Sequence, residues 1–531
     1  MKKAAIALIV LGVAFLALEI SGLSPFSGGL VLILIVGLPC VGAFLWFADR
    51  ALSRPAGIDN DDIFRDAIST RGWTAIIVGT IITGLYVVIY LGDRISLGER
   101  QALIGVNAAG VVAEVQGDRS LLNAAGAKVG ETEGVKLFGG YTGITRKLPE
   151  ILAKSAAGEA AKASVGWNHR YRYSANVETI ADGDANPGET VATVYVVQKD
   201  SVHAFFMRNV YHLLNPISTA LSGRKADNWF FYSFLYTLAV VVFGVRMILK
   251  YRHNRYQMIR SGSVMFVQAG FGFLIPNILI LFKQPGYYFS YFWPLKPEYL
   301  YPSTWSKYLA AGDASLGVAF LGFGAMITFV GTPVLTYFYG KRWYCSWVCG
   351  CGGLAETAGD PWRQLSDKSL KAWQIERWLI HGVLVAIIGV TALLWINSVS
   401  EGAVFGRLSA AVAEAYGFYI GMLFSGIVGV GFYPLMGNRV WCRFGCPMAA
   451  ILGLQQKFFS RFRITTNGGQ CISCGNCSTY CEMGIDVKWY AQRGQNIVRA
   501  SCVGCGVCSA VCPRGVLRLE NGPVAGRVPA N

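Results

Sequence analysis

"CISCGNCSTYC", residues 471–481, and "CVGCGVCSAVCP", residues 502–513, decide how this chain is read. Both space their cysteines as Cys-x2-Cys-x2-Cys-x3-Cys, and the second closes on Pro513. Thirteen of the fourteen cysteines fall in short clusters after residue 344, while Cys40 stands alone inside an apolar stretch. A secreted disulfide scaffold distributes its cysteines along the whole chain, so this clustering points to metal ligation.

The spacing is the one by which bacterial ferredoxins hold [4Fe–4S] clusters: three thiolates of a tight loop serve one cubane and the fourth crosses to the other. On that pattern Cys471, Cys474, Cys477 and Cys512 form one ligand set, and Cys502, Cys505, Cys508 and Cys481 the second. Cys-x2-Cys pairs also build zinc ribbons. Two complete four-cysteine cassettes, the second ending in proline, favour two iron–sulfur clusters.

Working outward, the 531 residues are 53% hydrophobic and only 15% charged, a composition of the membrane class. The net charge of +16 comes from Lys and Arg set beside apolar spans, where they act as topology determinants rather than as a nucleic-acid surface. Eight stretches are long enough to cross a bilayer: 4–23, 29–48, 73–92, 229–249, 264–283, 316–340, 378–397 and 416–436. The first follows Met1-Lys2-Lys3 without a small-x-small cleavage site and reads as an anchor. With Lys2 and Lys3 in the cytoplasm, alternation puts the basic loop 250–262, Lys341 with Arg342, and Arg439 with Arg443 on the cytoplasmic side. The cysteine cassettes follow on that side.

The expected architecture is a polytopic α-helical membrane protein of the bacterial inner membrane with about eight transmembrane helices. Residues 1–92 form a three-helix membrane region, and 93–227 a small periplasmic α+β domain. Residues 228–446 form a five-helix region, and 447–531 a cytoplasmic 2[4Fe–4S] ferredoxin-like domain. In the periplasmic segment "TVATVYVVQ" (190–198) reads as strand, "LPEILAKSAAGEAAKA" (148–163) as helix, and "DGDANPGE" (182–189) as a turn between strands.

"RWYCSWVCGCGG" and "RVWCRFGCPM" follow the sixth and eighth spans, each with two cysteines four apart: Cys345 with Cys349, and Cys442 with Cys446. On continuing helices this spacing places both thiols on one face. The four together offer ligands for a third iron–sulfur centre; a redox-active dithiol or structural thiols are the alternatives, and Cys351 is a spare ligand. Arg443, Arg461, Arg463 and Arg514 lie near the expected clusters and would stabilise their reduced, more negative form.

These residues resemble the NosR/NapH-type membrane polyferredoxins, which carry two Cys-x3-Cys-Pro motifs beside transmembrane helices and a double-cluster module after the last span. Cys442-Arg-Phe-Gly-Cys446-Pro447 matches the motif fully. Cys345-Ser-Trp-Val-Cys349-Gly350 keeps the cysteines but has glycine for proline. The resemblance covers about 229–517. It implies electron transfer between a cytoplasmic donor or the quinone pool and a periplasmic or membrane redox enzyme. Larger members bear FMN bonded to a threonine in a Ser-Gly-Ala-Thr-like motif; "YTGITR" offers Thr145 as a loose counterpart.

The stretch 283–305, with nine aromatics, fits an interfacial belt in an outer loop, a quinol pocket or a docking face. His381 inside the seventh span reads as a hydrogen-bonded helix residue or a proton carrier. His212 and His253 fall near opposite faces, which does not support a transmembrane haem, and no Cys-x2-Cys-His, P-loop or dinucleotide fingerprint is present. The function expected is a membrane iron–sulfur electron relay. A redox-sensing regulator and an assembly factor that reduces another enzyme's metal centre are the alternatives.

Overall fold

The computed structural model describes residues 1–21, 23, 29–53, 72–92, 210–310, 314–400 and 402–522. Between 93 and 209 it describes six strands with residues 95, 202, 205 and 206. Two compact units result: Val88–Arg208, and the rest of the chain.

Among the described residues eight helices are long and apolar enough to cross a membrane. They are α1 (Lys2–Ile20), α2 (Leu30–Leu52), α3 (Trp73–Tyr90), α4 (Asn228–Lys250), α5 (Arg255–Leu281), α6 (Leu316–Tyr339), α7 (Leu370–Val399) and α8 (Leu408–Gly431). Large apolar side chains such as Ile76, Phe266, Phe329, Trp378 and Val385 are exposed on them. In water such a surface is a liability; in hydrocarbon it costs nothing. Helices α1 and α2 pack closely because Gly42 lacks a Cβ, which would stand 2.7 Å from the Ala5 carbonyl oxygen.

Three helices begin earlier than hydropathy predicts. Asn254 caps α5 by accepting from Gln257 N (3.2 Å), Ser369 caps α7 through Ala372 N (3.2 Å), and α8 starts at Leu408. The basic loop expected over 250–262 therefore shrinks to a turn, and Gln257 and Arg260 become buried helix residues. Each donates to the C-terminal tail at Cys505 O, a long-range contact that an apolar window misses.

Helix ends gather as strict alternation requires. Arg252 Nη1 donates to Ala51 O at the end of α2 (2.6 Å). The N-terminal turns of α5 and residues after α6 and α8 bond to the tail, as does Tyr337 O, which accepts from Arg461 N (2.9 Å). With 27 residues rising about 1.5 Å each, α5 carries its C-terminus to the opposite end.

The unit Val88–Arg208 contains a six-stranded antiparallel sheet ordered β3-β2-β1-β6-β5-β4. Its strands are β1 (Ser96–Val106), β2 (Val112–Val115), β3 (Lys136–Leu137), β4 (Ala161–Val165), β5 (Tyr171–Ala175) and β6 (Ala192–Ser201). The strand expected over 190–198 is β6. The helix expected over 148–163 is corrected at its end: Ala161–Ala163 belong to β4, whose ladder with β5 (Ala161↔Ala175) overrides the local preference of alanine and lysine. Residues 148–160, the turn 182–189 and Thr145 lie outside the described residues. The unit closes at Arg208 rather than 227, and Tyr211–Ser222 form two short helices in the membrane unit.

Candidate metal centres

The tail folds around a two-stranded ribbon, β7 (Arg463–Thr466) against β8 (Leu517–Glu520). Beside it lie two cavities, each of about 360 Å³ of atom-free space. The first is lined by Cys471, Cys474, Cys477 and Cys512, the second by Cys481, Cys502, Cys505 and Cys508. Each cassette thus sends its fourth cysteine to the other cavity.

The backbone explains how eight sulfurs reach these positions. In each cassette the residues before and after the second cysteine are left-handed: Ser473 (φ 59°) and Gly475 (φ 82°), then Gly504 (φ 64°) and Gly506 (φ 73°). Serine holds a conformation that favours glycine, a cost repaid only if the loop is needed. Loops of this kind turn amides inward to face anions. The amides of Met483 and Ile485 donate toward Cys481, that of Gly504 toward Cys502, and that of Ser478 toward Cys477. Among the described residues no three Cys, His, Asp or Glu side chains converge on one point, as a single zinc ion requires. The sulfurs instead ring an otherwise mostly apolar space, which suits a four-iron cube.

The second group of cysteines is built by two similar segments. After α6 the chain turns at Gly340 (φ 64°), and after α8 at Gly437 (φ 90°). The helices therefore do not continue through the Cys-x3-Cys pairs as the spacing argument supposed. In both segments the second cysteine amide reaches five residues back, Cys349 N to Tyr344 O (2.8 Å) and Cys446 N to Trp441 O (2.9 Å). Each then caps a new helix, Gly350–Glu356 and α9 (Pro447–Phe458). Cys345, Cys349, Cys442 and Cys446 are all buried in one core. Cys446 Sγ accepts from Ala449 N at 3.4 Å. The Cys351 thiol donates toward Cys349, and with nearby amides and Arg439 it holds Cys349 at about 7 in spite of burial.

Gly350 stands where the motif has proline because space is missing. A Cβ there would lie 2.8 Å from the Tyr291 hydroxyl, 3.0 Å from that of Tyr236 and 3.1 Å from Gln268 Oε1. Gly350→Pro, which completes the motif, is expected to destabilise the protein by about 1–3 kcal/mol through overpacking. A lower thermal midpoint in detergent checks this; an unchanged midpoint refutes it.

Tyr291 belongs to the aromatic stretch 283–305, expected as an interfacial belt in an outer loop, part of which is instead buried in the bundle. From the far end of α5 the chain dips into the bundle. Ser290 and Phe292 are buried, Tyr344 Oη donates to Ser290 O (2.7 Å), and Phe292 packs on Trp343 and Tyr344 beside Cys345. Nearer the far end, Tyr287 stacks on Tyr299 and Phe320 with centroids 4.9 and 4.8 Å away. Aromatic rings gain more in this packed core than at an interface.

A chain of buried ion pairs, which periodicity and motifs did not reveal, links the cysteine groups. Arg260 and Arg439 share Glu356 (2.9 and 2.6 Å), Arg439 and Arg363 share Glu482 (3.0 and 2.6 Å), and Arg363, Arg246 and Lys250 share Asp360 (3.2, 2.8 and 2.7 Å). Burial alone would raise Asp360, but these cations hold it well below the carboxylate range. One end of the chain donates to Cys505 O (Arg260 Nη1, 2.9 Å); at another, Arg439 Nη1 lies 3.6 Å from Cys442 Sγ. Lys341 is fully buried, and Nζ donates to Ala500 O (3.1 Å) with no carboxylate in ion-pair reach among the described residues. Five cations share three carboxylates, and Lys341 adds another charge. Such an excess is costly inside a protein unless anions such as ligating thiolates balance it.

Of the four arginines expected to tune the centres, Arg514 lines the first cavity, while Arg443 is neutralised by Glu376 (2.8 Å). Arg461 and Arg463 lie by β7, away from both cavity linings. Arg439 and Lys341 take that place beside the sulfurs. His381 Nδ1 lies 2.6 Å from Arg377 O, one turn back in its own helix.

Comparison with known proteins gives these geometries their class. A 4Fe-4S binding domain family matches twice, over 321–369 and 418–465, and so covers both Cys-x3-Cys segments. A 4Fe-4S dicluster domain matches 470–517. A protein of Escherichia coli named as an electron transport protein, YccM, is 26% identical over 31% of this chain and 47% of its own length. The methylamine utilization ferredoxin-type protein MauN of Paracoccus denitrificans is 30% identical over 29% of this chain and 53% of its own. MauN of Methylobacillus flagellatus is 26% identical over 34% and 64%. The chain spans about half the length of the curated relatives it matches, and no solved structure matches it. It carries 4Fe-4S domains on a multi-pass helical bundle and is homologous to ferredoxin-type electron transport proteins.

Proposed function

We propose that this chain is an integral membrane electron-transfer protein of the NosR/NapH type. Cys471, Cys474, Cys477 and Cys512 would hold one [4Fe–4S] cluster and Cys481, Cys502, Cys505 and Cys508 a second. Cys345, Cys349, Cys442 and Cys446 would hold a third centre, with Cys351 hydrogen-bonded to its Cys349 ligand. Bound clusters of this kind supply one-electron chemistry.

The observation that carries the reading is the order of the three cysteine groups. The first cavity includes Cys474, the exposed cysteine of the tail. The second is clasped by the membrane unit: Tyr256 Oη donates to Gly504 O (3.0 Å), Gln257 Nε2 to Cys505 O (2.9 Å) and Ser346 Oγ to Val503 O (2.8 Å). The third lies inside the bundle, with the aromatic segment beyond it. Lys341 stands between the second and third: its carbonyl accepts from Cys345 N (3.0 Å) and its amide donates to Gln456 Oε1 (2.7 Å). Gln456 in turn donates to Cys502 O (2.8 Å). Amide and cation donors toward the sulfurs stabilise the more negative, reduced state.

On this reading the tail would lie in the cytoplasm and the sheet-bearing unit in the periplasm, which the positive charge of the helix ends near the tail supports. A cytoplasmic donor or the quinone pool would then serve a periplasmic or membrane redox enzyme. Iron, sulfide and flavin content of the anaerobically purified protein, with EPR after dithionite, tests the assignment. About twelve irons are expected; eight removes the third centre, and iron-free protein sinks the proposal.

A further inference from the structure

The first cavity opens on a distinctive face. Lys488 and Arg514 line it, and the Arg493 guanidinium lies 4.1 Å over the Trp489 ring. None of these three cations has a carboxylate in ion-pair reach among the described residues. The neighbouring acid, Asp486, is engaged locally: it accepts from Ser478 Oγ (2.6 Å) and caps Trp489 N (3.4 Å). Within this basic rim two apolar side chains project, Ile472 at 54% exposure and Trp489 at 42%. The tail meets the helices through residues of the second cavity and through Tyr480, Ala500 and Val511, a set that includes none of Ile472, Lys488, Trp489, Arg493 and Arg514.

Unneutralised cations beside exposed apolar points, next to a cavity lined by the exposed Cys474, describe a surface that seats a protein. Electron-transfer encounters use small interfaces, steered by charge and released quickly. A lipid surface would satisfy the cations but gives no reason for them to surround a surface cysteine set. We infer that this face docks a small acidic electron-carrier protein, whose carboxylates meet Lys488, Arg493 and Arg514 while Ile472 and Trp489 form the apolar centre. The inference rests on the reading that the tail holds clusters.

The test uses the full-length protein in nanodiscs of neutral lipid, with an acidic plant-type [2Fe–2S] ferredoxin as probe. Binding is expected to weaken by roughly tenfold or more between low and high salt, because exposed charges are screened. The triple variant K488E/R493E/R514E should lose binding. A zero-length carbodiimide should couple Lys488 to a ferredoxin carboxylate, and Lys488→Gln should abolish that link. Unchanged, salt-independent binding by the triple variant overturns the inference. So does loss of binding to phosphatidylglycerol vesicles in the triple variant when wild-type protein binds no ferredoxin; the face would then meet a membrane. Dithionite-reduced EPR separates the two failures. Absent tail signals defeat the cluster reading, whereas normal signals with unaffected binding defeat only the docking.

Discussion

Arg439→Met is expected to destabilise the membrane unit by about 3–5 kcal/mol, the range for removing one partner of a buried ion pair. Arg439 is fully buried and joins Glu356 to Glu482, which come from the segments after α6 and after the first tail cassette. Without it the two carboxylates share only Arg260 and Arg363 among the cations, and Cys442 loses its cationic neighbour. Denaturant or thermal unfolding in detergent should show the loss, with Arg439→Lys intermediate because an ammonium keeps the charge but not the planar fork. A change below about 1 kcal/mol, the worth of an exposed pair, would mean that the network does not hold tail and bundle together.

A second large effect is expected at the crossover cysteines. Cys512 ends the second cassette yet lines the cavity of the first, and Cys481 does the reverse. Cys512→Ala should therefore disturb the centre of Cys471, Cys474 and Cys477, lowering iron by up to four atoms, while the set around Cys502 stays reducible. Cys481→Ala should give the opposite pattern. EPR of the two reduced variants distinguishes the remaining centres, because the first cavity is open to solvent and the second is clasped by the bundle. If Cys512→Ala removed the centre of its own cassette, the crossed assignment would fail.

The crossing of each cassette's fourth cysteine to the other cavity was legible in the spacing, which is that of ferredoxin loops whose fourth cysteine serves the neighbouring centre. The eight spans were legible because hydrocarbon imposes a length and a composition on any helix that crosses it. The aromatic stretch was not. Nine aromatics between residues 283 and 305 satisfy both an interface and a buried re-entrant segment, and only the fit of Phe292 against Trp343 and Tyr344 chooses between them. The Cys-x3-Cys pairs fall between these cases. All four lie in one buried core, but helical continuation is not the cause. Gly340 and Gly437 break the helices, and Cys349 and Cys446 begin new ones.

Local chemistry thus determined where the cysteines cluster, which segments are apolar enough to cross a membrane and which ends bear the basic charge, since each depends on near neighbours in the chain. Tertiary packing alone settled what surrounds the sulfurs. Glu356, Glu482, Arg260 and Arg439 are far apart in sequence and carry no pattern linking them. Their pairing exists because buried charges must find partners, and the folded bundle is where those partners meet.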